Sequence, residues 1–321
     1  MSSFLGFKSF TKNIRKPFIQ AKNIHFSYTE QEILKNFSFT LQTSKIVAIV
    51  GRSGEGKSTF LHLLTGVLAS PKKGAIRILG KHRILTKKNI GFVPQEIALI
   101  PEMTIEQNIQ FFGHLQGMSK DEALTSGKEL MKTLHLPVPM TKTPSQLSGG
   151  QKVRLNIIVS ILHNPSVLIL DEPFVGLDYY NRKLLWHFLQ HQKNRRKAVI
   201  LTTHMLVEAE HFTDELVVLH KGKVFAKGKL KDIRKKLKTL FIAEYEFSQL
   251  TKSQLTAIKK YCFMHDITIM NEFNNYMMFS ISRDGQRAYL TKFFDKEAIT
   301  YSEVSFREPN LDELFLKVAH I

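Results

Sequence analysis

The sequence predicts an α/β fold, and this prediction rests on the order of its apolar and helical segments. Continuous apolar runs at 167–170 and 198–201 are typical of buried parallel strands, and a helical pattern at 184–189 separates them. A further apolar run at 46–50 is followed directly by a glycine-rich loop and then by a helical segment. Strands that alternate with helices in this way indicate a parallel sheet covered by helices.

Other segments add a β-rich first part, a helical insertion and a second module. Short strands and turns fill residues 21–50, and a long helical stretch runs from about 104 to 136. From residue 239 the pattern is strand, helix, strand, strand, helix and strand, with a closing helix from Leu311. The strands are expected at about 240–247, 265–271, 275–282 and 298–306, and the helices at about 250–262 and 285–294. This order suits a small ferredoxin-like α+β domain.

The composition limits the partners and the compartment. The formal net charge is +18, which is more than the binding of one nucleotide requires. This excess of positive charge points to a larger anionic partner, either nucleic acid or an acidic membrane surface. The alternative is that the lysines only keep the protein surface soluble. Apolar and basic residues interleave at 1–18, which predicts either a basic amphipathic helix on a membrane or a loose terminal segment. The single cysteine, Cys262, excludes an intrachain disulfide. No apolar run approaches the roughly 20 residues that span a bilayer, so we expect a soluble or peripheral chain.

The glycine-rich loop has the pattern of a triphosphate-binding site. Its glycines allow consecutive backbone N–H groups to turn inward around phosphate oxygens, and the start of the next helix adds positive potential. Lys57 is expected to reach the outer phosphates, and the Ser58 hydroxyl to bind Mg²⁺. The residues of this predicted ATP site are Gly51, Arg52, Ser53, Gly54, Glu55, Gly56, Lys57, Ser58 and Thr59.

Five further motifs follow the loop along the chain. They contain Gln95, then Ser148, Gly149, Gly150 and Gln151, then Asp171 and Glu172, then Asp178, and finally His204. Together with the loop, they resemble the ordered motifs of the ABC ATPase family: the Q-loop, the signature, the Walker B strand with its catalytic glutamate, the D-loop and the switch histidine. The resemblance covers roughly residues 19–228. It implies an ATPase of the P-loop class.

The carboxylates and the histidine have distinct expected roles. Asp171 ends a buried strand, where a carboxylate is costly unless it meets a cation or donors, so we expect it to hold Mg²⁺ together with Ser58 and Gln95. The resemblance implies that Glu172 polarises the water that attacks the γ-phosphate, and that His204 holds this phosphate and water in line. Glu172, His204 and Gln95 are therefore the expected catalytic residues.

Two parts of the predicted site depend on neighbours in space. Tyr28 resembles the aromatic residue that stacks on adenine in this family, although Phe26 competes for that role and either ring can belong to the core. In this family the signature lies far from the P-loop of its own subunit, which implies that a second copy closes the site in a head-to-tail homodimer. Glu55 departs from the small residues that are commoner in this loop, and its side chain can point to solvent.

The resemblance also divides the chain. It implies a basic extension at 1–18, an ABC ATPase domain at 19–228 with a helical subdomain at about 96–160, a linker helix at 229–240 and an accessory α+β domain at 241–321. In the linker, Leu230, Ile233, Leu237 and Leu240 are spaced as one face of a helix.

The fold alone does not fix the function, because ABC ATPases serve transport, DNA repair and translation. The segments 101–115 and 308–316 resemble exporter subunits of the ABC-2 type. We therefore expect an ATP-hydrolysing motor subunit that drives a separate transmembrane permease from the cytoplasmic face of the cell membrane, with an anionic membrane surface as an open further partner. The alternative is a soluble ABC ATPase that acts on nucleic acid or ribosomes, which the +18 charge supports, although nucleic acid is the less favoured partner.

Overall fold

The computed structural model describes residues 18–78, 81–82, 89–283 and 285–319, so the predicted N-terminal extension lies outside the described residues except for Phe18. The strands are β1 Ile19–Ser27, β2 Glu32–Leu41, β3 Ile46–Val50, β4 Lys73–Ile78, β5 Lys81–His82, β6 Ile90–Val93, β7 Val167–Leu170, β8 Ala198–Thr202, β9 Glu215–His220, β10 Lys223–Gly228, β11 Phe241–Phe247, β12 Thr268–Phe273, β13 Tyr276–Ile281 and β14 Tyr301–Arg307. The helices are α1 Lys57–Thr65, α2 Ile105–Leu115, α3 Lys120–Thr133, α4 Gly149–Ile161, α5 Tyr179–Asn194, α6 Leu206–Phe212, α7 Leu230–Lys236, α8 Lys252–Met264, α9 Gln286–Lys296 and α10 Leu311–Ala319, with a short 3-10 helix at Pro144–Gln146.

The central sheet confirms the predicted α/β core. Its strand order is β10-β9-β3-β8-β7-β6, and all its neighbouring pairs are parallel except β9 and β10. A second, antiparallel sheet of order β2-β1-β4-β5 forms the β-rich first part. Because the carboxyl ends of parallel strands meet at one edge, the loops after β3, β6, β7 and β8 come together there.

Hydrophobic clusters cover both faces of the central sheet. Along β3, Ile46, Ala48 and Val50 join the cluster that contains α4 and α5, whereas Val47 and Ile49 join the cluster that contains α1 and the second sheet. This alternation is the period of two expected of a strand, and burial of both sets explains the continuous apolar sequence of β3. Both faces of β3, the strand that leads into the glycine-rich loop, are therefore packed in the core.

The helical insertion differs from the single stretch that the sequence predicts. It forms two helices, α2 and α3, and Gly117 between them adopts a left-handed conformation with φ 81°. Each helix begins with a capping box, Thr104 with Gln107 and Ser119 with Glu122, and these caps favour two separate starts. No helix in the described ranges has both the length and the apolar character needed to cross a membrane.

The C-terminal part has the element order that the sequence predicts. Its antiparallel sheet has the order β12-β13-β11-β14, and α8 and α9 share one cluster with it. This is the strand order of a ferredoxin-like split βαβ arrangement. Aromatic rings fill the cluster, with Tyr245 packed edge-on against Phe279 and Phe294.

The closing helix packs on the first part of the chain. Leu311 and Leu314 of α10 are buried in the cluster that contains α4 and α5, and α10 contacts α6. Arg234 of α7 fastens this junction, because its Nε donates to the carbonyl of Pro309 at 2.8 Å and its guanidinium pairs with Glu308 and Glu210. The closing helix therefore connects the C-terminal sheet to the first part of the chain.

Candidate functional site

A cavity of about 480 Å³ lies at the carboxyl end of the central sheet. Its walls come from the glycine-rich loop, from the turn after β1, from β2, and from the loops after β6, β7 and β8. The lining residues are Tyr28, Ile33, Gly51, Arg52, Ser53, Gly54, Gly56, Lys57, Ser58, Thr59, Gln95, Glu172, Val175 and His204. The fold thus brings most of the predicted site residues to one place.

The loop is shaped to surround an anion. Gly54 and Gly56 have φ of 83° and 97°, a left-handed conformation that favours glycine, and a Cβ on Gly56 would lie 2.8 Å from Cδ2 of Leu34. Lys57 begins α1, and its Nζ donates to the carbonyls of Gly51 at 2.9 Å and Arg52 at 3.1 Å. In the described part of the chain, no carboxylate forms an ion pair with this buried ammonium, so a phosphate is a suitable partner.

Asp171 is a buried carboxylate that hydroxyl groups hold in place. It is 2% exposed and accepts hydrogen bonds from Ser58 Oγ at 3.1 Å and from Thr202 Oγ1 at 2.5 Å. The described residues supply it with donors but with no cation. This set of hard oxygen atoms suits Mg²⁺, which prefers oxygen ligands.

Glu172 and His204 form a pair at the cavity. Nδ1 of His204 lies 2.9 Å from Oε2 of Glu172, and the backbone N–H of His204 donates to the same oxygen at 3.2 Å. Glu172 has φ 47°, and its own backbone N–H donates to Thr202 Oγ1 at 2.9 Å. A non-glycine residue in this region is strained by about 1–3 kcal/mol, and such strain often marks functional sites.

The two aromatic candidates for the base have different surroundings. Phe26 is 8% exposed and belongs to the hydrophobic core, whereas Tyr28 is 58% exposed and lines the cavity. Phe26 supports Tyr28 from the side, with ring centroids 5.1 Å apart at 90°, and the Tyr28 hydroxyl lies 3.4 Å from Thr59 Oγ1. Tyr28 therefore offers the free aromatic face.

The signature residues do not reach this cavity. Ser148 caps α4 by accepting from the backbone N–H of Gln151, and the Gln151 side chain accepts from the backbone N–H of Ser148. Gly149 and Gly150 instead lie near the loop that carries Gly176 and Leu177. Asp178 in turn caps α5, and hydrogen bonds from Asn181 lower the pKa of its carboxyl group. Ser148, Gly149, Gly150, Gln151 and Asp178 thus form a separate group on this chain.

Glu55 is not directed to solvent, so the expectation that its side chain can point outward is wrong. Its Oε1 lies 3.3 Å from Nδ1 of His220, and only 12% of the Glu55 side chain is exposed. The cause is the position of β9 beside β3, which brings the last residue of β9 next to the loop. Thr202, which hydrogen-bonds to Asp171 and to the backbone of Glu172, is not among the residues that the sequence predicts for the site, because a threonine at the end of a strand belongs to no distinctive motif.

Comparison with known proteins identifies the family. The sequence profile described as ABC transporter matches residues 34–175. A linearmycin resistance ATP-binding protein of Bacillus subtilis is 30% identical over 307 residues, which cover 94% of this chain and 97% of that protein. A Nod factor export ATP-binding protein I of Rhizobium etli is 32% identical, over 67% of this chain and 69% of that protein.

Solved structures agree with the sequence relatives. The ATP-binding subunit of an ABC transporter superposes with a TM-score of 0.63 at 30% identity, over 68% of this chain and 92% of that chain. A dimeric ABC transporter cassette in a post-hydrolysis state, bound to ADP and phosphate, gives a TM-score of 0.60 at 28% identity, over 66% of this chain and 98% of that chain. The chain therefore belongs to the ABC transporter family, as an ATP-binding, ATP-hydrolysing subunit.

Proposed function

We propose that this chain is the motor subunit of an ABC-2 type exporter and drives a separate membrane-spanning permease by ATP-dependent closure of a dimer. The observation that carries the proposal is the assembled cavity, in which the phosphate loop faces the Glu172 and His204 pair. Relatives named for linearmycin resistance and Nod factor export support an export role. Both relatives are described as ATP-binding proteins, which fits a permease on another chain.

In the proposed reaction, Glu172 accepts a proton from the water that attacks the γ-phosphate. Two N–H groups already orient its Oε2, which leaves Oε1 as the candidate atom for this proton. His204 is 65% exposed at its side chain, so its ring can also contact the substrate. Lys57 and the backbone N–H groups of the loop hold the phosphates, and Tyr28 stacks on the base.

The oxygen atoms around Asp171 fit a magnesium ion. Ser58, Gln95 and Asp171 would hold it, and when bound the ion offsets the negative charge of the phosphates. No group of three or more acidic, histidine or cysteine side chains in the described ranges is placed to hold a metal without further ligands. The substrate's own oxygens and water therefore belong to the proposed coordination.

The separate position of the signature leads to the proposed dimer. Ser148, Gly149 and Gly150 begin α4 outside the cavity, so a second copy is needed to bring such a helix start to the phosphates. Asp178 and Gln151 lie in the same group and belong to this proposed interface. A dimeric cassette among the structural relatives supports the arrangement.

The proposed domain division and location follow from this role. Residues 19–228 carry the ATPase, with a helical subdomain at about 96–160, residues 229–240 link it to the rest, and residues 241–321 form the accessory domain. A motor subunit of this kind acts at the cytoplasmic face of the membrane.

Recovery of the tagged chain from native membranes in mild detergent, followed by mass spectrometry of its partners, tests the proposal. We expect a multi-span membrane protein to be recovered with both the wild type and Lys57→Ala, because the loop is not the proposed contact. Recovery of ribosomal proteins or nucleic acid, together with salt-sensitive RNA or DNA binding that changes the ATPase rate, would instead support the soluble alternative that the net charge of +18 suggests.

A further inference from the structure

The carboxylate of Glu55 has a partner that none of the nucleotide motifs contains. Among the nine residues from Gly51 to Thr59, Glu55 alone does not line the cavity. Its Oε1 instead lies 3.3 Å from Nδ1 of His220, and the two side chains are 12% and 15% exposed. A carboxylate so close to a phosphate-binding loop repels phosphate unless it is paired or directed away.

His220 stands on a strand that packs against the glycine-rich loop. It ends β9, where the carbonyl of its neighbour Leu219 would lie 3.0 Å from a Cβ on Gly51. The turn that follows is fastened to β2, because the backbone N–H of Lys35 donates to the carbonyl of Gly222 at 2.9 Å. The backbone on either side of His220 is thus held against both the loop and β2.

Glu55 is the polar contact of the imidazole in the described part of the chain. Nε2 of His220 is buried and has no hydrogen-bond partner there, and the ring meets Phe225 edge to face, with centroids 6.3 Å apart. Loss of the imidazole therefore leaves the charge of Glu55 unpaired.

We propose that His220 is a positioning residue of the ATP site, which holds the Glu55 carboxylate away from the bound phosphates. This inference rests on the proposed role of the loop in ATP binding. Its effect is on affinity, because in the described part of the chain no hydrogen bond or ion pair joins His220 to Glu172 or His204, the residues proposed for the chemical step. Removal of the imidazole releases the carboxylate, and removal of the carboxylate makes the imidazole dispensable.

The test is a double-mutant cycle between positions 220 and 55. His220→Leu keeps roughly the volume and removes the imidazole, and we expect it to raise both the KM for ATP and the Kd of a fluorescent ATP analogue roughly tenfold, with kcat within about twofold of wild type. His220→Asn places an amide nitrogen near the position of Nδ1, and we expect it to restore affinity. In the Glu55→Ala background, where no carboxylate remains to be released, His220→Leu should leave the Kd within about threefold of that of Glu55→Ala alone. His187→Ala, at an exposed position on α5, is the control.

A merely structural role predicts a different result. His220→Leu would then weaken binding equally in the wild-type and Glu55→Ala backgrounds, and this outcome, or an unchanged Kd in His220→Leu, overturns the inference. His220→Ser replaces the leucine variant if that variant does not fold, with the same expectation. Failure of the wild type to bind the analogue more tightly than Lys57→Ala would refute the proposed role of the loop instead, so the two failures are distinguishable.

Discussion

Replacement of Thr202 by valine tests how the two acids of the site are held. The Thr202 hydroxyl donates to Asp171 and accepts the backbone N–H of Glu172, and the residue is fully buried. Valine has nearly the same shape, so the change removes both hydrogen bonds without a cavity. A hydrogen bond to a charged group contributes about 1.5–3 kcal/mol, and a buried N–H left without an acceptor costs about 1–3 kcal/mol. We therefore expect the free energy of unfolding to fall by about 3 kcal/mol.

Urea unfolding followed by tryptophan fluorescence measures this loss. The chain has one tryptophan, Trp186, which is buried between Phe174 and Phe212 in a cluster that includes Leu201 of the same strand. We also expect kcat for ATP hydrolysis to fall roughly tenfold or more, because the backbone of Glu172 loses its anchor. Thr202→Ser keeps the hydroxyl and is the control. If valine and serine variants have equal stability and equal kcat, the hydroxyl does not orient these acids.

Three further predictions concern the surrounding structure. Gly222→Ala should lower the free energy of unfolding by about 2–3 kcal/mol, because Gly222 has φ 76° and a Cβ there would lie 2.1 Å from the carbonyl oxygen of Ile33. The control is Gly117→Ala, which has φ 81° but open space around the Cβ and should cost about 1 kcal/mol in the same urea assay; equal losses would contradict the steric argument. Arg234→Ala should speed proteolysis near Pro309, because α10 loses its link to α7. Lys231→Ala, at an exposed position of the same helix, is the control, and equal cleavage rates in the two variants would count against this link. Burial, with Arg195 nearby, lowers the pKa of Lys197 to about 8. The unfolded chain therefore binds this proton more tightly, and the free energy of unfolding should rise between about pH 8 and about pH 10.5. Lys197→Met should lose this part of the rise in the urea midpoint, and an unchanged dependence of the midpoint on pH would refute the prediction.

Local patterns were sufficient to predict much of this molecule. The continuous burial of β3 depends on neighbours in sequence, and so does the order of elements from β11 to α10. The contact between Glu55 and His220 could not be predicted, because it depends on β9 lying beside β3 in the sheet. For the same reason, the sequence did not show that Thr202 serves two acids, or that Leu311 returns to the first cluster.

The break between α2 and α3 was missed for a different reason. Helical periodicity continues through both helices, and only the left-handed conformation of Gly117 and the cap at Ser119 separate them. The close approach of the two helices also depends on Gly113, where a Cβ would lie 2.4 Å from the Cβ of Ala123. Such packing is set by tertiary structure rather than by periodicity.

The most direct test of the central claim is the molecular mass of Glu172→Gln in solution, measured by light scattering with and without ATP and Mg²⁺. Glutamine keeps the shape of the side chain but removes the proposed proton acceptor, so ATP should persist and hold two chains together. The account predicts a monomer without nucleotide, a dimer with ATP, and a monomer again when Lys57→Ala is added. A chain that binds ATP and remains monomeric would contradict the shared site on which the proposed motor depends.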